Sequence, residues 1–420
     1  MLSLDNQTLE RLNSGAPSAL ASRRRRALEE YRRLEMPTPK EENWKYVNLG
    51  FDLDEMGLPT APGDRLPDDG FAASLSNRAG SAFMVDGRLL VVDNDSEARL
   101  GSADEAGGSG SGMDLLAADT DKFAAAALAF SVDDITLRIP RNRAVEAPFV
   151  IDVQSTCSNT VTFPSLTIRA EENSEATVVV LFRSPEGVPS VLVPNLQTTV
   201  GYGARLSVTT VGLMGSEGAN VMHHRSKIGR DATLRIGEIG LGGRLSRMDL
   251  RTTLEGRGGS VEVVGLYYGE MQQVLDYRLV VNHVGPSTSS EVFLKGGVQD
   301  HAQSIFTGLL RIEEDAAGTS AFETNRNLVL SDGAKANSVP NLEILCNDVI
   351  CGHGSSVGPL ETEPLYYLMS RGISKARAER ILVRGFFEEA IGRLPLDDLD
   401  EPARQAVNRR FALAQEGGRV

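Results

Sequence analysis

Small residues followed two positions later by an apolar one return along the middle of the chain at a nearly fixed interval. Ala176-Thr177-Val178, Ala204-Arg205-Leu206, Ala232-Thr233-Leu234 and Gly259-Ser260-Val261 are separated by about 28, 28 and 27 residues, and Ser290-Glu291-Val292 and Thr319-Ser320-Ala321 continue the series less regularly. A recurrence of this length marks a supersecondary unit stacked on copies of itself, because one such unit cannot bury its apolar face alone. From about residue 130 to 360 the surrounding sequence consists of short alternating β-rich runs broken by Gly, Asn and Asp, with almost no helical periodicity. The spacing predicts a β-solenoid rather than a sandwich, since each rung tolerates loop insertions while the ladder continues. A chain of 420 residues is also too long for one ordinary core, and a solenoid grows without thickening.

The flanks have a different texture. Ala21 to Leu34 predicts a helix with Leu28, Tyr31 and Leu34 on one stripe, and the arginines Arg23 to Arg26, Arg32 and Arg33 form a solvated face. Met36-Pro37-Thr38-Pro39 ends it, because each proline disfavours helical geometry in the residue before it. Residues 51 to 125 mix short apolar runs, Ala82 to Val85 and Leu89 to Val92, with a segment from Gly101 to Gly112 that reads as a flexible loop. Its glycines match neither phosphate-cradling pattern, and no Gly-Lys pair occurs in the chain, so ATP hydrolysis is not expected of this polypeptide. Beyond Pro364 helical spacing returns in Ser374 to Ile391, with Ala378, Ile381, Leu382, Phe386 and Ala390, and in Glu401 to Ala414. The expected organisation is a mixed N-terminal region over 1–125, a solenoid over 126–362 and a helical region over 363–420. Terminal helices of this kind cap the open last rung or present a face to a partner.

Charge and composition narrow the partners. A formal charge of −14, from 43 basic and 57 acidic side chains, is unsuited to nucleic acid, whose binding rests on Lys and Arg at phosphates. Aromatic residues make up 5% of the chain, too few for a groove that stacks sugars or bases. No run approaches the roughly 18 apolar residues of a membrane span. Three cysteines, Cys157, Cys346 and Cys351, do not make a disulfide framework and point to a reducing compartment. With Asp5 and Glu10 ahead of the first arginine cluster and no apolar leader core, a cytoplasmic location is expected.

Soft ligands concentrate in Cys346-Asn-Asp-Val-Ile-Cys351-Gly-His353-Gly. In a strand, Cys351 and His353 project to one face, which suits a thiolate and an imidazole sharing one ion. A closed site needs a further ligand, from elsewhere or from a second chain. Unpaired cysteines also serve as small core hydrophobes, the reading taken for Cys346 and Cys157; for Cys351 both readings stand. His223 and His224 are adjacent and face opposite ways in a strand, and His283 and His301 stand alone in their rungs, so no ordered catalytic triad is formed.

The C-terminal segments Cys351-Gly-His353-Gly-Ser-Ser-Val-Gly-Pro-Leu360, Leu365-Tyr-Tyr-Leu-Met-Ser-Arg-Gly372 and Gly385-Phe-Phe-Glu resemble the signature of the SufB/SufD family. Pro39-Lys-Glu-Glu-Asn-Trp44-Lys45-Tyr46 is similar to the family's N-terminal motif. The resemblance spans essentially the whole chain. It implies a right-handed parallel β-helix core and a non-catalytic role in iron–sulfur cluster assembly. Within the family the chain looks like the SufD type. SufB has H-E-A where this chain has His353-Gly354-Ser355, and gapless alignment through Val339-Pro340 and Asp332 puts Asn325 at SufB's functional cysteine. An amide cannot carry a persulfide. The resemblance further implies pairing with SufB through the β-helix, docking of the SufC ATPase on the C-terminal helices, and a transient cluster or iron at the SufB interface to which His353 and Cys351 contribute. It leaves room for a reduced flavin in the complex and for a homodimer of the isolated chain. Two alternatives remain: a homomeric SufB-like scaffold, which Asn325 opposes, and a polysaccharide-active β-helix enzyme, which the composition opposes.

Overall fold

The computed structural model describes residues 1–103 and 115–417. Most of the segment read as a flexible loop, Gly101 to Gly112, lies outside the described residues. The centre of the molecule is a β-solenoid of about 8 turns with helices at both ends. Each turn contributes one strand to each of two parallel-stranded walls. Among the described residues, one sheet has thirteen strands and the other ten. Strands of nine to eleven residues, such as Ser260–Gly269 and Thr319–Val329, alternate side chains between the bore and the outside.

Register shows how the repeat works. Glu175, Arg205, Thr233, Ser260, Ser289, Ser320 and Ile350 stack in one column, in steps of 30, 28, 27, 29, 31 and 30 residues. The first step differs from the interval read in the sequence. Ala176 pairs with Leu206, so the residue equivalent to Ala204 and Ala232 is Ser174. The turn Ser184 to Pro189 lengthens that rung by two residues, which the ladder absorbs outside the strands.

Three apolar layers hold the fold. The bore is filled by columns such as Val208, Ile236, Val263 and Val292. The outer face of the thirteen-stranded sheet is covered by the helices Ser18–Arg33 and Lys122–Phe130 with Trp44, whose ring lies against Phe123 at 5.3 Å and under the Arg247 guanidinium at 3.7 Å. Helix Lys122–Phe130 is buried along its length and capped by Asp121, which accepts the Ala124 N–H at 2.8 Å. The outer face of the ten-stranded sheet is covered by the helices Lys375–Ile391 and Asp400–Gly417 through Val383, Phe387, Ala390, Ala403 and Val407. The buried Lys295 ammonium fastens that layer, donating to the Phe386 carbonyl at 2.7 Å and pairing with Glu389 at 2.7 Å. Among the described residues no helix is long and apolar enough to cross a membrane.

The two ends differ. At the N-terminal end the ten-stranded sheet finishes in the antiparallel hairpin Gly80–Val85 and Arg88–Asn94, with a register shift between Phe83 and Met84. At the C-terminal end, among the described residues, Lys335–Ile344 pairs only with Gln303–Ile312, and Val349–Gly358 only with Thr319–Val329. The last rung therefore leaves two ten-residue backbone edges unpaired.

Candidate functional site

The candidate site is this open end. Cys351 packs on the inner core, and the Ser355 hydroxyl donates across the bore to Ser338 Oγ at 2.8 Å. His353 lies between them at the same parity, so it faces the bore mouth, and it is exposed because no further rung covers it. Cys351 and His353 therefore share one face of the strand. Cys346, just past the strand Lys335–Ile344, is half-buried against the same core.

One rung deeper the inward positions turn polar. Ala321, Glu323, Asn325 and Asn327 lie in register beneath Cys351, His353, Ser355 and Val357. Asn325 is fully buried and belongs to a closed network: its Nδ2 donates to the Tyr267 hydroxyl at 3.1 Å, that hydroxyl donates to Asn327 Oδ1 at 2.7 Å, and Asn327 Nδ2 donates to Asn325 Oδ1 at 2.6 Å. Glu323 is 1% exposed, neither carboxyl oxygen has a partner among the described residues, and burial pushes it up to about 8. The unpaired edges are flanked by exposed apolar side chains, Val339, Ile344, Phe322 and Ile350, the last 69% exposed.

The cysteine and histidines read as structural lie outside the Cys351–His353 strand. Cys157 sits in the first rungs with Sγ 3.3 Å from Asp86 Oδ2, and burial and that carboxylate raise its thiol. His223 bonds Asp121 at 3.0 Å on the outside of its strand. His224 bonds Thr198 and Ser226 within the bore, and burial lowers it to about 3. His283 sits between the Thr288 and Ser290 hydroxyls at 2.8 and 2.9 Å. His301 lies exposed in the turn before Gln303–Ile312. Among the described residues no three His, Cys, Asp or Glu side chains converge closely enough to hold a metal ion. The mouth thus holds one thiol and one imidazole on a single strand face.

Glu323 was not singled out from the sequence. A signal for it exists: in Thr319–Val329 the polar residues Glu323, Asn325 and Asn327 alternate on one parity, and the preceding rung has Val292 and Leu294 at the positions of the first two.

The C-terminal helices carry a second surface. Helix Thr362–Ser370 buries none of its residues and exposes Tyr366, Tyr367 and Met369. A shallow groove between the helices Lys375–Ile391 and Asp400–Gly417 is lined by Ile381, Arg384, Gly385, Glu388 and Arg404.

A parallel-stranded solenoid with one open end rung and helices at both ends defines the class of this protein as a β-helix protein with helical flanks. Comparisons with known proteins give the family. The SufBD core domain of the SUF iron–sulfur cluster assembly system matches residues 152–386. An iron–sulfur cluster assembly SufBD family protein of Mycobacterium tuberculosis is 34% identical over 304 residues, 70% of this chain and 76% of the relative. Escherichia coli SufD is 26% identical over 394 residues, 93% of this chain and 92% of that protein. Bacillus subtilis SufD is 30% identical over 279 residues, 65% and 63% of the two chains. The chain belongs to the SufBD family of iron–sulfur cluster assembly proteins, and SufD proteins are among its homologues.

Proposed function

We infer that this chain is the SufD-type subunit of an iron–sulfur assembly scaffold, pairing end to end with SufB and docking the SufC ATPase on its C-terminal helices. The observation that carries this reading is the open terminal rung: two unpaired ten-residue edges, flanked by exposed apolar side chains, around a mouth holding Cys351 and His353. Unpaired parallel edges bind a second sheet by backbone hydrogen bonds, and the covered mouth then excludes water from the donor pair. The cluster or its iron is cargo here, held between Cys351 and His353 on one side and SufB's ligands on the other. Asn325 supports the SufD assignment, since its amide is committed to Tyr267 and Asn327 and offers no thiolate. The uncovered helix Thr362–Ser370 and the groove at Arg384 and Arg404 are the surface proposed for SufC.

Co-expression with SufB and SufC, with isolation on a tag carried by this chain, tests the reading. The expected product holds one SufB, two SufC and one copy of this chain with bound iron and sulfide, and the cluster is lost when SufB is omitted. In that complex His353→Ala leaves the stoichiometry intact and lowers the cluster content. Failure to recruit either partner, or an unchanged cluster content in H353A, overturns it.

A further inference from the structure

The column of inward side chains that ends at His353 changes character at one position. Ile236, Val263 and Val292 stack in register and are buried and apolar, and the next two members are Glu323 and His353. A valine at 323 would continue the packing. The carboxyl is buried instead, with both oxygens unpartnered among the described residues, although buried polar groups are normally hydrogen-bonded and an unsatisfied one is destabilising. The neighbouring polar residues of the same rung do satisfy one another through Tyr267, Asn325 and Asn327, so Glu323 is not simply another member of that network. The facing sheet makes room for it. Gly308 lies opposite, and a Cβ at that position would collide with the Glu323 carboxyl.

We propose that Glu323 is a positioning residue of the end-rung site: once a partner covers the mouth, its carboxyl hydrogen-bonds the inner ring nitrogen of His353 and so aims the outer one at the shared iron or cluster. This rests on the reading of the open end given above. Adjacent strands lie about 4.8 Å apart, so side chains in register on one face are neighbours, and the Glu323 carboxyl is the one unpartnered group among those in register beneath the end-rung donors. In the uncovered chain His353 is solvated and leaves Glu323 without a partner. Covering the rung removes that water and leaves each as the other's nearest complement. A histidine that ligates metal characteristically gives its other ring nitrogen to a carboxylate or carbonyl, which fixes its tautomer and orientation.

The test uses the whole complex, loaded anaerobically with ferrous iron and sulfide. Glu323→Val and Glu323→Leu continue the apolar column, so both are expected to keep the stoichiometry and thermal midpoint of the wild type. Cluster content is expected to fall about tenfold in each. Glu323→Gln keeps an oxygen that accepts the imidazole N–H and is expected to restore most of the loss. His353→Ala combined with Glu323→Val is expected to be no worse than His353→Ala alone, because the two act as a unit. Wild-type cluster content in E323V and E323L, no rescue by E323Q, or additive losses in the double variant would each overturn the proposal. If H353A itself leaves cluster content unchanged, the reading of the open end fails. If H353A lowers it and the Glu323 variants do not, only the positioning role fails.

Discussion

Single ionisable groups inside the bore make the stability of this protein depend on pH in a definite direction. Glu238 is buried, takes a hydrogen bond from Thr210, and is pushed up to about 7 by burial. It holds its proton more tightly folded than unfolded, so its contribution is complete below about pH 4.5 and lost as pH rises to about 7. His224 and His283, lowered to about 3 and about 4, contribute in the opposite sense: fully above about pH 6.5, and less as pH falls. The carboxyl and imidazole slopes oppose between pH 4.5 and 6.5, and above 6.5 the carboxyls remain, Glu238 to about 7 and Glu323 to about 8. The unfolding free energy from urea titrations of the wild type is therefore expected to fall from pH 6.5 to 8, by at most about 1.4 kcal/mol per pH unit for each carboxyl still titrating. Glu238→Gln removes the part below pH 7; an identical pH profile for E238Q would refute this. A second residue-scale expectation concerns Arg247, which stacks on Trp44, donates to the Asn43 carbonyl at 2.8 Å and pairs with the buried Asp276. Arg247→Ala leaves that carboxylate only the more distant Arg278, at 3.7 Å, and is expected to cost about 3 kcal/mol in chemical unfolding, the low end for a broken buried pair; wild-type stability in R247A would refute this.

At the scale of elements, the strands of the last rung carry the prediction that bears on partners. Ile350 points outward beside an unpaired edge and touches little of its own chain, so Ile350→Asp leaves the fold intact and is expected to abolish co-purification with SufB. Retention of the partner by I350D would place the interface elsewhere. Elements were also where the sequence was most and least legible. The rung period could be read because the small residue before each strand, such as Ala204 or Ala232, is buried in a tight turn and its size is constrained. The first rung was displaced by two because a longer turn changes the interval without changing any strand. Cys351 and His353 could be placed on one face from parity alone. Glu323 could not be placed beneath His353, because their proximity depends on a step of 30 residues that only the register supplies.

The whole molecule behaves as a one-dimensional stack in which each rung contacts its neighbours, so stability is lowest where a neighbour is missing. Hydrogen exchange of the isolated chain is expected to be fastest, within the solenoid, over 335–344 and 349–358, and slowest over central strands such as Ser260–Gly269. Addition of SufB should slow exchange in those two terminal segments; unchanged exchange there would argue against end-to-end pairing. The inequality of the two ends has a further effect on how many chains can join. One end is finished by a hairpin running against the ladder, with a register shift that spoils it as a template, while the other is left bare. When two bare ends meet, each consumes the other and no free ladder remains. Association by this route halts at a pair, so one missing rung can recruit a partner without seeding a fibre.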